Sequence, residues 1–244
     1  MISNIIQIGN GVEICLTQQI EQEKKTGVHA HIYKSKVVEI FANDDLELMM
    51  PTEAGKLVLL PLGVRFEFVF YSETGLYRGT GLVKERYKTD NLYLIRVSLK
   101  SQLHKYQRRE YYRMPCIIPM KYYEVTQEQV LNTRPDRYQV LVDLPEIGMT
   151  MQEASIVDIS GGGLRFVTDM RMQVDHYIIV EVELKNIHES VVYYLPAHIL
   201  ASEITPTRED RYENRGEFII RDRRVREEII RFIFDEERKN RRNK

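Results

Sequence analysis

Two short stretches carry side chains suited to one kind of chemistry. Arg108-Arg109-Glu110-Tyr111-Tyr112-Arg113 places three guanidiniums in one segment, with Arg109 and Arg113 flanking two tyrosines. A planar guanidinium pairs bidentately with phosphate, reads the O6/N7 edge of guanine and stacks on a base. Asp158-Ile159-Ser160-Gly161-Gly162-Gly163 supplies the complementary groups. The Asp158 carboxylate suits the N1 and N2 hydrogens of a guanine edge, and Ser160 adds a short hydroxyl. Gly161, Gly162 and Gly163 permit a tight turn whose exposed N–H groups make a nest for an anion. Alone, an Arg-x-x-x-Arg is common on solvated linkers, and an Asp-x-Ser-Gly-Gly-Gly is most often a hairpin turn. Their occurrence in this order, about 45 residues apart, is far more specific than either half.

The surrounding sequence says what must hold these groups. Residues 12 to 98 read mostly as strands. In Val64-Arg65-Phe66-Glu67-Phe68-Val69-Phe70, Val64, Phe66, Phe68 and Phe70 share one face, the period of a half-buried strand. Val28 to Tyr33, Val37 to Ala42, Lys56 to Leu60, Leu76 to Lys84 and Leu92 to Ser98 are further extended runs. Turn-prone pieces such as Asn43-Asp44-Asp45 and Lys88-Thr89-Asp90-Asn91 separate them, which suggests a small closed barrel. From 99 to 113 the chain turns polar and basic without alternation, and this stretch is expected to link two domains, 1–98 and 114–244. The arginine motif thus sits on the linker. A second set of strands is predicted at Ile117 to Val125, Tyr138 to Leu144, Ala154 to Ile159, Leu164 to Thr168, Tyr177 to Leu184, Val191 to Ala201 and Gly216 to Arg221. Strands on both sides of the glycine turn place it at a sheet rim. Val225, Ile229, Phe232 and Ile233 then form one stripe of an amphipathic helix running from about Arg223 into a basic C-terminal end.

Composition limits the function. The 244 residues are 43% hydrophobic and 29% charged, ordinary globular values, and the net charge is −1. A protein that coats nucleic acid by neutralising phosphates is usually strongly basic, so the arginines point to a small anionic ligand. Fifteen tyrosines keep single-stranded nucleic-acid binding as the alternative from another class. Two cysteines, Cys15 and Cys116, provide neither a zinc framework nor a disulfide scaffold. His29-x-His31 lacks a third ligand at metal spacing, and no G-x-S-x-G surrounds Ser160, so neither metal centre nor enzyme is expected. No run approaches the roughly 18 apolar residues of a membrane span, and the chain reads as soluble and cytoplasmic without stable membrane insertion.

Gln107-Arg108-Arg109-Glu110-Tyr111-Tyr112-Arg113 and Asp158-Ile159-Ser160-Gly161-Gly162-Gly163 resemble the two motifs of PilZ domains, R-x-x-x-R and D/N-x-S-x-x-G. The segment Tyr77 to Ser98 and the closing helix with Ile229-Ile230-Arg231-Phe232-Ile233-Phe234 are similar to flagellar brake proteins of the YcgR type. The resemblance implies an all-β fold of two small β-barrel domains in tandem, an N-terminal YcgR-like barrel and a C-terminal PilZ barrel with its α-helix. It implies cyclic di-GMP bound at the junction without catalysis and without a cofactor. By position, Arg109 and Arg113 are the motif arginines, and Asp158, Ser160 and Gly163 the turn residues. An arginine preceding the first motif arginine, here Arg108, accompanies an intercalated ligand dimer in such domains, which implies two ligand molecules per chain. The implied mechanism is a change of inter-domain arrangement that regulates a flagellar motor stator or switch protein at the basal body, with exopolysaccharide synthesis as the alternative process.

Overall fold

The computed structural model describes residues 2–90, 92–144, 150–185, 190–205 and 208–242. Asn91 of one expected turn and the last two residues of the basic end lie outside them. The chain divides into two compact units, Met1–Arg108 and Arg109–Lys244.

The first unit contains β1 (Gly11–Leu16), α1 (Thr17–Thr26), β2 (Ile32–Ile40), β3 (Asp45–Met49), β4 (Thr52–Glu53), β5 (Lys56–Leu57), β6 (Arg65–Ser72), β7 (Gly75–Thr89), β8 (Leu92–Leu99) and β9 (His104–Lys105). Its main sheet runs β6-β1-β2-β3-β8-β7-β9, and a β6–β7 pairing closes it into a ring. The alternation in β6 does what its period demands: Phe66, Phe68 and Phe70 are fully buried, with Ile14, Leu46 and Val97 around them. The two extended runs predicted at Val28 to Tyr33 and Val37 to Ala42 are replaced by one strand, β2. Within the segment predicted as linker, His104 and Lys105 pair with Arg78 and Tyr77 of β7. Helix α1 buries nothing and has no apolar stripe for a pattern to find. It stands on the helix propensity of its Gln, Glu and Lys residues and on Gly27, whose left-handed conformation lets its N–H reach the Glu23 carbonyl.

The second unit contains β10 (Met114–Val125), α2 (Gln127–Asn132), α3 (Tyr138–Asp143), β11 (Met151–Ser160), β12 (Gly163–Thr168), β13 (Tyr177–Lys185), β14 (Ser190–Thr205), β15 (Arg208–Phe218) and α4 (Arg223–Arg242). Six of its strands form a closed barrel in the order β10-β11-β12-β15-β14-β13. Ile156, Ile159, Phe166, Ile178, Val180 and Ile199 fill it, and α4 plugs it with Ile229, Phe232 and Ile233. Val225, the first residue of the predicted stripe, packs half-buried against the same core.

Tyr138 to Leu144, predicted as a strand, is the helix α3. Its alternating apolar residues hide a second periodicity: Tyr138, Leu141 and Val142 lie at i, i+3 and i+4 and all three are buried with Val130 against Ile179. Just before it, α2 opens with a capping box in which Thr126 and Gln129 satisfy each other's backbone N–H groups. No helix among the described residues is long and apolar enough to cross a membrane.

Candidate functional site

The glycine motif is the hairpin joining β11 to β12, with Ser160 opposite Gly163. None of its three glycines adopts a positive φ, so the turn does not use their conformational freedom. It uses their lack of a side chain. A Cβ on Gly163 would lie 2.2 Å from the Gly216 carbonyl oxygen of β15, and one on Gly161 would lie 2.7 Å from the Tyr111 ring and 2.8 Å from Ile230. Ser160 is buried, and its hydroxyl is turned inward: it donates to the Gly163 carbonyl at 3.1 Å and accepts from the Gly162 N–H at 3.3 Å. These two bonds make it a lock of the turn.

Asp158 is also mostly enclosed, its side chain 13% exposed. One carboxylate oxygen accepts from Arg165 Nε at 2.6 Å, and the same guanidinium donates to Glu213 at 2.8 Å. Arg165 faces Asp158 across the hairpin, a relation that strand arithmetic from the turn reveals, since a two-residue loop pairs positions seven apart there. The negative charge of Asp158 is felt nearby: burial, then this carboxylate, pushes the Cys116 thiol up to about 11.

The arginine motif reaches the same rim. Arg113 immediately precedes β10, whose Met114 pairs with Ile159 and Pro115 with Asp158. The exposed Arg109 and Arg113 flank Tyr111, whose ring lies against Gly161 and Gly162. Tyr112 donates its hydroxyl hydrogen to Glu237 of α4 at 3.0 Å. From the same helix, Arg226 donates to the Gly161 carbonyl at 3.0 Å and to the Ile220 carbonyl at 3.3 Å, with its guanidinium 5.5 Å from the centre of the Tyr111 ring. Arg109 and Arg113 therefore belong to the same unit as the Asp158–Gly163 turn, and the strand register brings the two segments side by side.

Arg108 has a different setting. It ends the first unit, where its guanidinium donates to Glu13 of β1 at 2.9 Å and to the Tyr71 hydroxyl of β6 at 3.1 Å. Tyr71 in turn hydrogen-bonds Glu13. Glu13, Tyr71, Arg165 and Arg226 carry no motif of their own, and only Arg165 had a signal in the sequence.

A cleft of about 920 Å³ opens elsewhere on the second unit, at a bulge in β10 between Pro115 and Ile118. Met114, Cys116, Ile118 and Phe232 are among its lining residues, and no motif residue is. His29 and His31 pair with separate carboxylates, Glu23 and Glu53, and no metal-holding cluster of three or more His, Cys, Asp or Glu occurs among the described residues.

Residues 7–99 match the PilZNR family model, described as flagellar protein YcgR. No curated protein sequence matches the chain significantly. Among solved structures, the inhibitor of motility MotI/DgrA of Bacillus subtilis is similar over 97% of this chain and 100% of its own, with a TM-score of 0.72 and 16% identity. Escherichia coli YcgR in complex with c-di-GMP is matched over 96% of this chain and 87% of its own, with a TM-score of 0.45 and 15% identity. The K. pneumonia MrkH–c-di-GMP complex gives a TM-score of 0.42 at 15% identity, over 96% and 90%. Residues 7–99 are thus similar to the PilZNR family of the flagellar protein YcgR, within a chain that shares its tandem fold with MotI/DgrA.

Proposed function

We propose that this chain is a non-catalytic receptor for cyclic di-GMP, held by Arg109 and Arg113 on one side and by the Asp158–Gly163 turn on the other. One observation carries the reading: the pairing of Met114 with Ile159 and the packing of Tyr111 on Gly161 and Gly162 keep two individually weak motifs together at one rim. Arg109 and Arg113 supply phosphate-pairing forks, while the Asp158 carboxylate, oriented by Arg165, accepts from a guanine edge. The turn contributes its backbone and the absence of side chains. Several charge-assisted hydrogen bonds, about 1.5 to 3 kcal/mol each and offset by ordering of the arginine segment, suffice for micromolar binding at about −8 kcal/mol.

Arg108 joins the site by leaving Glu13 and Tyr71, and its exchange of partners couples ligand occupancy to the first unit. Two ligand molecules per chain and a changed arrangement of the units follow in this mechanism, with coupling set by the difference in affinity between the two arrangements. The output we propose is a brake on motility, exerted on a stator or switch protein of the flagellar motor. The likeness of residues 7–99 to flagellar protein YcgR and the fold shared with MotI/DgrA, an inhibitor of motility, support that output.

Titration calorimetry with cyclic di-GMP tests the reading. Binding by the wild type, lost in Arg109→Ala and Asp158→Ala, is the expected result. Absence of heat with the wild type, or equal binding by both variants, overturns it. A stoichiometry of one removes the dimer alone.

A further inference from the structure

The residues that approach the arginine segment and the glycine turn from α4 lie on one stripe of that helix. Arg226, Ile230 and Glu237 are four and seven residues apart in turn, and each makes a different contact: Arg226 with the turn and the Tyr111 ring, Ile230 with the space over Gly161, Glu237 with Tyr112. Arg226 is the member that touches both halves. Its guanidinium donates to the Gly161 carbonyl, reaches the Tyr111 hydroxyl at 3.5 Å, and is tied to the segment between β15 and α4 by the Ile220 carbonyl. Its planar fork fits three such acceptors at once, which a lysine cannot do.

We propose that Arg226 is the positioning residue of the ligand site, fixing the distance between the arginine segment and the glycine turn. The proposal rests on the reading of that rim as the cyclic di-GMP site. Without Arg226, the Gly161 carbonyl loses its side-chain donor and the Tyr111 ring loses the cation that holds it over Gly161 and Gly162. Tyr111 lies between Arg109 and Arg113, so a ring free to swing moves both guanidiniums away from the geometry that phosphates require. Arg226 touches no ligand in this scheme. It acts through Tyr111 and the turn.

The test compares Arg226→Ala, Arg226→Lys and Ile229→Val in the full chain, with Asp158→Ala as the control on the site itself. Ile229 is fully buried beside the barrel core, so its truncation loosens α4 without touching the turn. Cyclic di-GMP affinity is measured by calorimetry and the unliganded melting temperature by circular dichroism. Arg226→Ala is expected to weaken binding about tenfold or more, Arg226→Lys to recover part of that loss, and Ile229→Val to lower the melting temperature with unchanged affinity. Should Arg226→Ala not fold, Arg226→Lys against Ile229→Val decides the matter. Affinity that simply tracks melting temperature across the variants, or Arg226→Ala binding within twofold of wild type, overturns the proposal. If the wild type binds no cyclic di-GMP, or Asp158→Ala binds as well as wild type, the site reading itself falls.

Discussion

Three consecutive glycines at one hairpin are expected to respond very differently to the same added methyl. At Gly163 the new carbon would stand 2.2 Å from the Gly216 carbonyl oxygen and 3.2 Å from Glu217 Cα, all of it backbone of β15. Carbon–oxygen contact needs about a further 1 Å, and β12 and β15 are held together by pairing that includes Gly163 opposite Glu217. Overpacking typically costs about 1–3 kcal/mol when side chains yield; where only backbone is available, about 3 kcal/mol or more is expected. That is a large share of the roughly 5–15 kcal/mol holding a domain together, and a drop in melting temperature of about 10 °C follows. At Gly161 the obstacles are side chains, the Tyr111 ring at 2.7 Å and Ile230 at 2.8 Å, so Gly161→Ala should cost about 1–2 kcal/mol while displacing Tyr111. At Gly162 the ring is 3.1 Å away on one side only, and the loss of unfolded-state freedom offsets about 0.4–1 kcal/mol of any crowding. Urea unfolding followed by circular dichroism ranks the three. The expected order of midpoints is Gly162→Ala near wild type, then Gly161→Ala, then Gly163→Ala. A Gly163→Ala variant within about 0.5 kcal/mol of wild type, or more stable than Gly161→Ala, refutes the argument that close approach explains these glycines.

Other perturbations test separate parts of the molecule. Removing the charge that holds Arg108, in Glu13→Gln, should tighten cyclic di-GMP binding about fivefold, the worth of a partly exposed ion pair of about 1 kcal/mol; unchanged or weaker binding in calorimetry contradicts a held Arg108. The Cys15 and Cys116 thiols are both pushed up to about 11, chiefly by burial, so at neutral pH they stay largely protonated and a thiol reagent should label both far more slowly than after denaturant is added; rapid native labelling is the contrary result. Burial would raise the Asp45 carboxyl, but bonds from Lys84, Ser98 and Asn43 prevail and lower it. Its stabilising contribution is present above the unfolded-state value of about 3.9 and disappears as pH falls through the lower folded value. Asp45→Asn should therefore flatten the acid limb of stability against pH, and an unaltered limb in acid titrations speaks against it.

The strands around the site were legible because half-buried strands keep a period of two. Phe66, Phe68 and Phe70 show it in one barrel, and β11 and β12 fall within a residue or a few of their expected ends in the other. Helix α1 escaped because it buries nothing, and α3 because Tyr138, Leu141 and Val142 satisfy a helical spacing inside an apparently alternating run. At the site, the motif residues were visible as chemistry but not in role. Ser160 and Asp158 are visible as polar groups, but that the hydroxyl bonds within its turn and the carboxylate meets Arg165 depends on the hairpin register. Arg226 left no trace, because its position depends on how α4 is rotated onto the barrel, and that is decided by Ile229, Phe232 and Ile233 rather than by its own neighbours in sequence.

The closed order of the second barrel also sets a timetable for its birth on the ribosome. The first ring has all its strands once Lys105 has emerged, because β6–β7 and β7–β9 pairings lie behind that point. The glycine turn is synthesised midway, but the strand against which Gly163 packs ends at Phe218 and the helix carrying Arg226 follows it. At about 5–20 residues per second, roughly 5–20 s separate the first unit's completion from the emergence of β15. From the completion of β12 until β15 arrives, β12 has β11 on one side and an unpaired edge on the other. The rim that gathers the two motifs is therefore among the last parts of the protein to exist, and the nascent chain should gain cyclic di-GMP binding only after its first unit already resists proteolysis.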